Sequence, residues 1–165
     1  MVGGSRSGKS AVAERLAGQA GVPVTYVATG RATDPDMARR IQEHQARRPA
    51  AWTTIEAHDD LVGALAGVEG PVLVDSLGTW LAGHPAFDVD ADGLCAAVAE
   101  RPFDTVVVSE EVGMGVHPET EVGRQWRDAL GTLNQRVAAV MDRTILVVAG
   151  QVMVLDGAES LLEGD

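Results

Sequence analysis

Short apolar runs alternate with stretches of helical periodicity along most of this 165-residue chain. Residues 24–28 (VTYVA) form a β-branched run bounded by Pro23 and by Thr29-Gly30, which predicts a strand. Further strands are predicted at 52–56, at 72–75, where Val72-Leu73-Val74 ends in Asp75, and at 105–109. Residues 144–155 read as two strands that turn at Ala149-Gly150. Between the strands, periodic apolar positions predict helices at 9–19, 59–65, 94–99 and 121–141; the first packs through Ala11, Ala13, Leu16 and Ala17. Another helix starts at Asp34-Pro35-Asp36, where Asp34 caps, proline suits the first turn and a second carboxylate complements the dipole. It runs to about Arg48 and stops before Pro49. Residues 83–93 are the expected surface loop, and 156–165 form an acidic, glycine-containing tail. Strands alternating with helices imply an α/β fold: a mostly parallel sheet covered on both faces, with an antiparallel C-terminal hairpin.

Composition narrows the function classes. Hydrophobic content of 45% with 4% aromatic residues means that Ala, Val and Leu fill the core. A net charge of −11 argues against a nucleic-acid or membrane surface, because a negative field repels polyanions. An anionic ligand therefore needs a local basic site. The single Cys95 excludes an internal disulfide and a multi-cysteine metal site, and reads as a small buried apolar residue of a helix. With no apolar run of membrane-spanning length and no signal peptide, the chain reads as cytoplasmic.

That local basic site opens the chain. Lys9 is the only lysine, and it lies in Gly3-Gly4-Ser5-Arg6-Ser7-Gly8-Lys9-Ser10, a full match to G-x-x-x-x-G-K-[ST]. The glycines let successive backbone N–H groups turn inward onto phosphate, the ammonium reaches between phosphates, and Ser10 offers its hydroxyl to Mg²⁺. The competing reading is a chance Gly/Ser turn. By its length the 1–165 chain is expected to be one domain, and the motif makes it a P-loop nucleotide-binding domain, expected to be RecA-like. A phosphate loop ordinarily follows a buried strand of four or five residues, yet only Met1 and Val2 precede Gly3. Either the first strand is very short or the chain is truncated there.

In an open parallel sheet, ligands sit beyond the carboxyl ends of the strands. That rule selects the loop at residues 5–10, Thr29-Gly30, Glu56, Asp75 and Glu110-Glu111. Asp75 is the natural Mg²⁺ partner beside Ser10, with Glu111 its competitor; the bland alternative is that Asp75 caps the next helix. A second segment, Arg40-Ile41-Gln42-Glu43-His44-Gln45-Ala46-Arg47-Arg48-Pro49, would put Arg40, His44 and Arg48 at i−4, i and i+4, with Arg47 at i+3. Flanking guanidinium groups would keep the imidazole neutral and nucleophilic while clamping phosphate oxygens, unless this is only a solvated basic face. His58, His84 and His117 lack such surroundings and read as surface or packing residues.

Over nearly its whole length the chain resembles the bifunctional adenosylcobinamide kinase and adenosylcobinamide-phosphate guanylyltransferases of cobalamin biosynthesis. The likeness runs from the opening loop through Tyr26-Val27-Ala28-Thr29, Asp36-Met37, Arg40-Ile41, His44 with Arg48-Pro49, and Trp52. It continues through Glu110-Glu111-Val112-Gly113-Met114-Gly115-Val116 with Pro118, and Asn134-Gln135-Arg136 before Leu146-Val147-Val148. The resemblance implies two reactions: phosphorylation of the adenosylcobinamide hydroxyl by ATP or GTP, and transfer of GMP from GTP to that phosphate, giving adenosylcobinamide-GDP. It implies that His44 carries GMP as a phosphoramidate and that Lys9 assists. It also implies nucleotide contacts at Gly3 to Ser10, at Ala28, Thr29 and Gly30, at Gln45, Ala46, Arg47 and Arg48, and at Glu56 and Asp75; Mg²⁺ as cofactor; and a homotrimer. The chain departs from the family in three places: Glu110 stands where Asn is usual, the first strand is short, and residues 83–101 form a shorter region.

Two other readings are a P-loop small-molecule kinase in which His44 is structural, and a GTP-binding switch that transfers nothing. If one phosphate cradle serves both reactions, Lys9→Ala weakens both; kinase and guanylyltransferase assays on the variant check this, and guanylyl transfer retained with the kinase lost would indicate two cradles.

Overall fold

The computed structural model describes residues 1–32 and 34–157, without the side chain of Arg40. The strands are β1 (Val2–Gly3), β2 (Thr25–Ala28), β3 (Thr53–Glu56), β4 (Val72–Asp75), β5 (Thr105–Glu110), β6 (Thr144–Val148) and β7 (Gln151–Leu155). They form one sheet in the order β3-β2-β4-β5-β1-β6-β7, parallel throughout except for the antiparallel β6–β7 hairpin. The predicted α/β class and the closing hairpin are therefore observed. Of the acidic tail, residues 158–165 lie outside the described part.

The helices are α1 (Lys9–Ala17), α2 (Pro35–Arg47), α3 (Leu61–Ala66), α4 (Leu77–Ala82), α5 (Ala91–Ala99) and α6 (Glu121–Ala138). The starts of α2 to α6 are set by side-chain caps: Asp34, Asp60, Ser76, Asp90 and Thr120 each accept a backbone N–H of the first turn. Two of these caps correct the sequence reading. α5 begins at Ala91, inside the expected loop, because Asp90 caps it; and α4, a short helix opened by a Ser76 capping box with Thr79, has no counterpart in the predicted elements. Ser76, not Asp75, is thus the helix cap, which leaves the Asp75 carboxylate for other partners.

Strand alternation divides the core. Val72 and Val74 of β4, Val27 of β2 and Val107 of β5 face a large cluster completed by Leu61, Leu65, Leu77, Trp80, Leu81, Leu94, Leu130 and Leu133 from α3 to α6. Leu73, Tyr26 and Val108 face the other way and pack with Ala13 and Ala17 of α1 and with Val24. The small α1 residues let that helix lie close to the sheet, so the phosphate loop rests directly on its strand ends. None of the described residues of α2 is buried; its half-buried Met37, Ile41 and His44, with Arg48 just past its end, are turned to the site.

β1 is held by neighbours on both sides. Val2 and Gly3 pair with Ser109 and Glu110 of β5 and with Leu146 and Val147 of β6. A Cβ on Gly3 would lie 2.6 Å from the Val147 carbonyl oxygen and 2.7 Å from Ser7 Oγ. Gly8 adopts φ 91°, a left-handed conformation open to glycine, and the Gly150 N–H donates to the Ser7 carbonyl at 2.8 Å, so the β6–β7 turn buttresses the loop. Gly3→Ala is expected to cost about 1–3 kcal/mol, the usual range for overpacking against backbone. Urea unfolding of the variant measures it, and a midpoint unchanged from wild type would contradict the close approach.

Candidate active site

Four adjacent strand ends, those of β2, β4, β5 and β1, place Ala28, Asp75, Glu110 and the phosphate loop in a row. They floor a cavity of about 590 Å³, walled by α2 and by the start of α4. Its lining includes Ser5, Arg6, Ser7, Gly8, Lys9, Ser10, Ala28, Gly30, His44, Gln45, Arg47, Arg48, Glu56 and Asp75, all expected from the sequence. A volume of this size suits a nucleotide-sized ligand.

Asp75 is the hub. Its side chain is 11% exposed, and it accepts hydrogen bonds from Tyr26 Oη at 2.8 Å and from Ser10; His44 Nδ1 lies 3.3 Å from Oδ2. Burial alone would raise the carboxyl pKa, but donation by His44, Tyr26 and Ser10 outweighs it and holds the group below the usual carboxylate range. Tyr26 is shifted the other way: burial first, then the neighbouring Asp75 charge, push the phenol up, so it remains a donor. Above Tyr26 the Arg48 guanidinium stacks 3.3 Å from the ring centroid and donates through Nη1 to Thr54.

Arg47 and Arg48 therefore do not flank His44 as helical spacing suggested. Arg47 pairs with Glu14 at 3.3 Å, tying α2 to α1, and Arg48 covers Tyr26, because Pro49 turns the chain to an extended conformation at Arg48. The Arg40 side chain lies outside the described part. The imidazole instead meets a carboxylate, which engages Nδ1 and leaves Nε2 as the ring nitrogen on the far side.

Five expected contacts fall elsewhere. Gly3 and Gly4, at the start of the loop, and Ala46 of α2 do not line the cavity. Thr29 is 3% exposed and spends its hydroxyl inside the protein, donating to the Ser76 carbonyl at 2.7 Å and accepting from the Ser76 N–H at 2.9 Å. Glu111, the competing metal ligand, accepts the N–H groups of Gly113 and Met114 and does not line the cavity. Glu110 does, and the alternation of β5 shows why: Val106 and Val108 face α1, so Glu110 is on that side and Glu111 is not. Alternation puts the two glutamates on opposite faces in the sequence too, but which face meets α1 is set by packing. Ser76 and Thr79 also line the cavity, and finding them required the undetected α4.

Among the described residues, no group of three or more His, Cys, Asp or Glu side chains is arranged to hold a metal by itself. Mg²⁺ does not require one, since it keeps several waters and shares its coordination with phosphate oxygens. Ser10 and Asp75, hydrogen-bonded side by side, are a fitting pair of oxygens for it.

Fold and site together define a P-loop nucleotide-binding α/β protein with a carboxylate-oriented histidine facing the phosphate loop. The model of the cobinamide kinase / cobinamide phosphate guanyltransferase family matches residues 1–155, and the chain belongs to that family. It is 40% identical over 166 residues to the bifunctional adenosylcobalamin biosynthesis protein CobP of Pseudomonas aeruginosa, covering 95% of this chain and 96% of that protein. It is 37% identical over 172 residues to the bifunctional adenosylcobalamin biosynthesis protein CobU of Salmonella typhimurium and 34% identical to that of Escherichia coli, covering 91% of this chain and 94% of each relative. No helix among the described residues is long and apolar enough to cross a membrane.

The Asp75 network has a pH signature. A carboxyl whose folded pKa is depressed stabilises the fold fully above its unfolded pKa of about 4, and that contribution fades as pH falls toward the folded value. The stability gap between wild type and Asp75→Asn, measured by urea unfolding, is therefore expected to be large at neutral pH and to narrow below about pH 4. A gap independent of pH would rule out the ionised carboxylate as its origin.

Proposed function

We propose that this chain performs both reactions of its family: it phosphorylates the hydroxyl of adenosylcobinamide with ATP or GTP, then transfers GMP from GTP to the resulting phosphate to give adenosylcobinamide-GDP. The observation that carries the guanylyl half is the His44–Asp75 contact within the cavity of the phosphate loop. With Nδ1 held by the carboxylate, the lone pair of Nε2 attacks the α-phosphorus of GTP. An N–P bond forms, the bond to the bridging oxygen breaks, and pyrophosphate leaves. Asp75 offsets the positive charge that grows on the ring as its lone pair is shared. A phosphate oxygen of adenosylcobinamide phosphate then attacks the same phosphorus, the N–P bond breaks and free imidazole is regenerated.

Lys9 and the loop N–H groups bind the phosphates, and Arg6, also in the cavity lining, adds a guanidinium to them. Ser10 and Asp75 would hold Mg²⁺, which neutralises phosphate charge. Glu56, at the end of β3, can accept hydrogen bonds from guanine N1 and N2. A phosphate loop brings the γ-phosphate, not the α-phosphate, next to Ser10, so the guanylyl step needs a shift of α2 or a second nucleotide pose. That none of the described residues of α2 is buried favours the shift. The reading includes a cytoplasmic location and a homotrimer, for which the exposed Val152, Met153 and Val154 of the edge strand offer apolar surface.

GTP labelled at the α-phosphate should leave acid-labile label on the wild-type protein and none on His44→Ala, while that variant still phosphorylates adenosylcobinamide. Label persisting on His44→Ala, seen by mass spectrometry of its peptides, would exclude His44 as the nucleophile.

A further inference from the structure

Glu110 ends β5 in a position that three neighbours define. Its Oε1 lies 3.5 Å from Lys9 Nζ, and Ser76 Oγ, at 3.1 Å from both carboxylate oxygens, donates to the group. The third neighbour is Gly78 of α4, where a Cβ would stand 2.0 Å from Oε2, so the backbone leaves just enough room for this carboxylate. The side chain remains 26% exposed and lines the cavity.

The lysine of a phosphate loop reaches the β- and γ-phosphates of a bound nucleotide. The ammonium that touches Glu110 is therefore the one that will touch the transferring phosphoryl group. When phosphates attract Lys9, Ser76 still holds the carboxylate, which then stands beside the γ-phosphorus with no cation of its own. An acceptor hydroxyl approaching that phosphorus must lose its proton nearby.

We infer that Glu110, which stands where the family usually has an Asn unable to take a proton, is the general base of the phosphorylation reaction in this chain, a deeper statement of the kinase half of the function proposed above and dependent on it. Glu110 takes the proton of the acceptor hydroxyl while that oxygen bonds to the γ-phosphorus. The bond from phosphorus to the bridging oxygen of the β-phosphate breaks, and nucleoside diphosphate departs. Asp75 already accepts from His44, Tyr26 and Ser10, which leaves Glu110 as the carboxylate open to the acceptor proton.

Steady-state phosphorylation of adenosylcobinamide by wild type, Glu110→Gln and Glu110→Asp, followed from about pH 5 to about pH 9, tests this. For Glu110→Gln the expected result is a loss of about 10²–10⁴-fold in kcat, the usual range for a general base. Both KM values should stay within about threefold, and the fall in rate toward low pH should disappear. Glu110→Asp, with the carboxylate restored one methylene short, should recover at least about tenfold over Gln and regain the acid limb. The inference is overturned if Glu110→Gln keeps kcat within about threefold, if the acid limb survives in it, or if only the nucleotide KM changes, which would make Glu110 an anchor for Lys9. Wild-type protein that takes up the guanylyl label but never phosphorylates adenosylcobinamide would instead refute the kinase half of the proposed function, and this inference with it.

Discussion

A nearly buried carboxylate, Asp75, with donors arriving from three separate elements organises this site. Tyr26 comes from β2, Ser10 from α1 and His44 from α2, and each gives a hydrogen to the one group at the end of β4. A charge removed from water is costly unless it is fully solvated by the protein, so these donors are not optional. Their convergence fixes how the phosphate loop, the adjacent strand and the histidine helix stand relative to one another. It also selects the ring nitrogen: engagement of Nδ1 turns Nε2 outward as a nucleophile. The stacking of Arg48 on Tyr26 extends the same chain of contacts to the edge of the sheet, since Arg48 also donates to Thr54 of β3.

Sheet order decides which groups share the cavity. One strand, β5, lies between the strand of the phosphate loop and the strand of Asp75. Its terminal Glu110 thus sits between Lys9 and Ser76, and two carboxylates flank the nucleotide region on successive strands. Close backbone approach makes this possible. Gly3 admits Ser7 and the β6 carbonyl, Gly8 lies against the β6–β7 turn, and Gly78 makes room for Glu110. Small residues on α1, Ala13 and Ala17, seat the helix that carries Lys9 and Ser10 low on the sheet. In a chain of net charge −11, this arrangement gathers cationic and N–H groups at one place while the rest of the surface repels competing polyanions.

Local chemistry was readable from the letters alone wherever one short segment determines it. The G-x-x-x-x-G-K-[ST] loop, the Asp34-Pro35 start of α2, the apolar run of β4 and the turn at Ala149-Gly150 each depend on neighbours a few residues away, and all were placed correctly. So was the strand-end rule that singled out Asp75 and Glu56, because parallel strands of similar length bring their carboxyl ends together. The family itself followed from ordered motifs spread over the chain. By contrast, α4 escaped notice: six residues carry too little periodicity, and its existence rests on the Ser76 capping box and on Trp80 and Leu81 finding a core.

Partnerships between distant residues belonged to the tertiary structure. Helical spacing brought Arg47 and Arg48 close to His44 in sequence, but Glu14 and Tyr26, which lie far away along the chain, offered them better partners. The Thr29 hydroxyl is engaged by the Ser76 backbone, a partner that only the packing of β4 against β2 supplies. The choice between Glu110 and Glu111 turned on which face of β5 meets α1, a question of packing that a strand-end rule leaves open. Sequence thus determined which groups the protein possesses and the class of ligand they bind. The folded chain decided which of them touch, because contact energies between side chains depend on distances that only the assembled sheet and helices set.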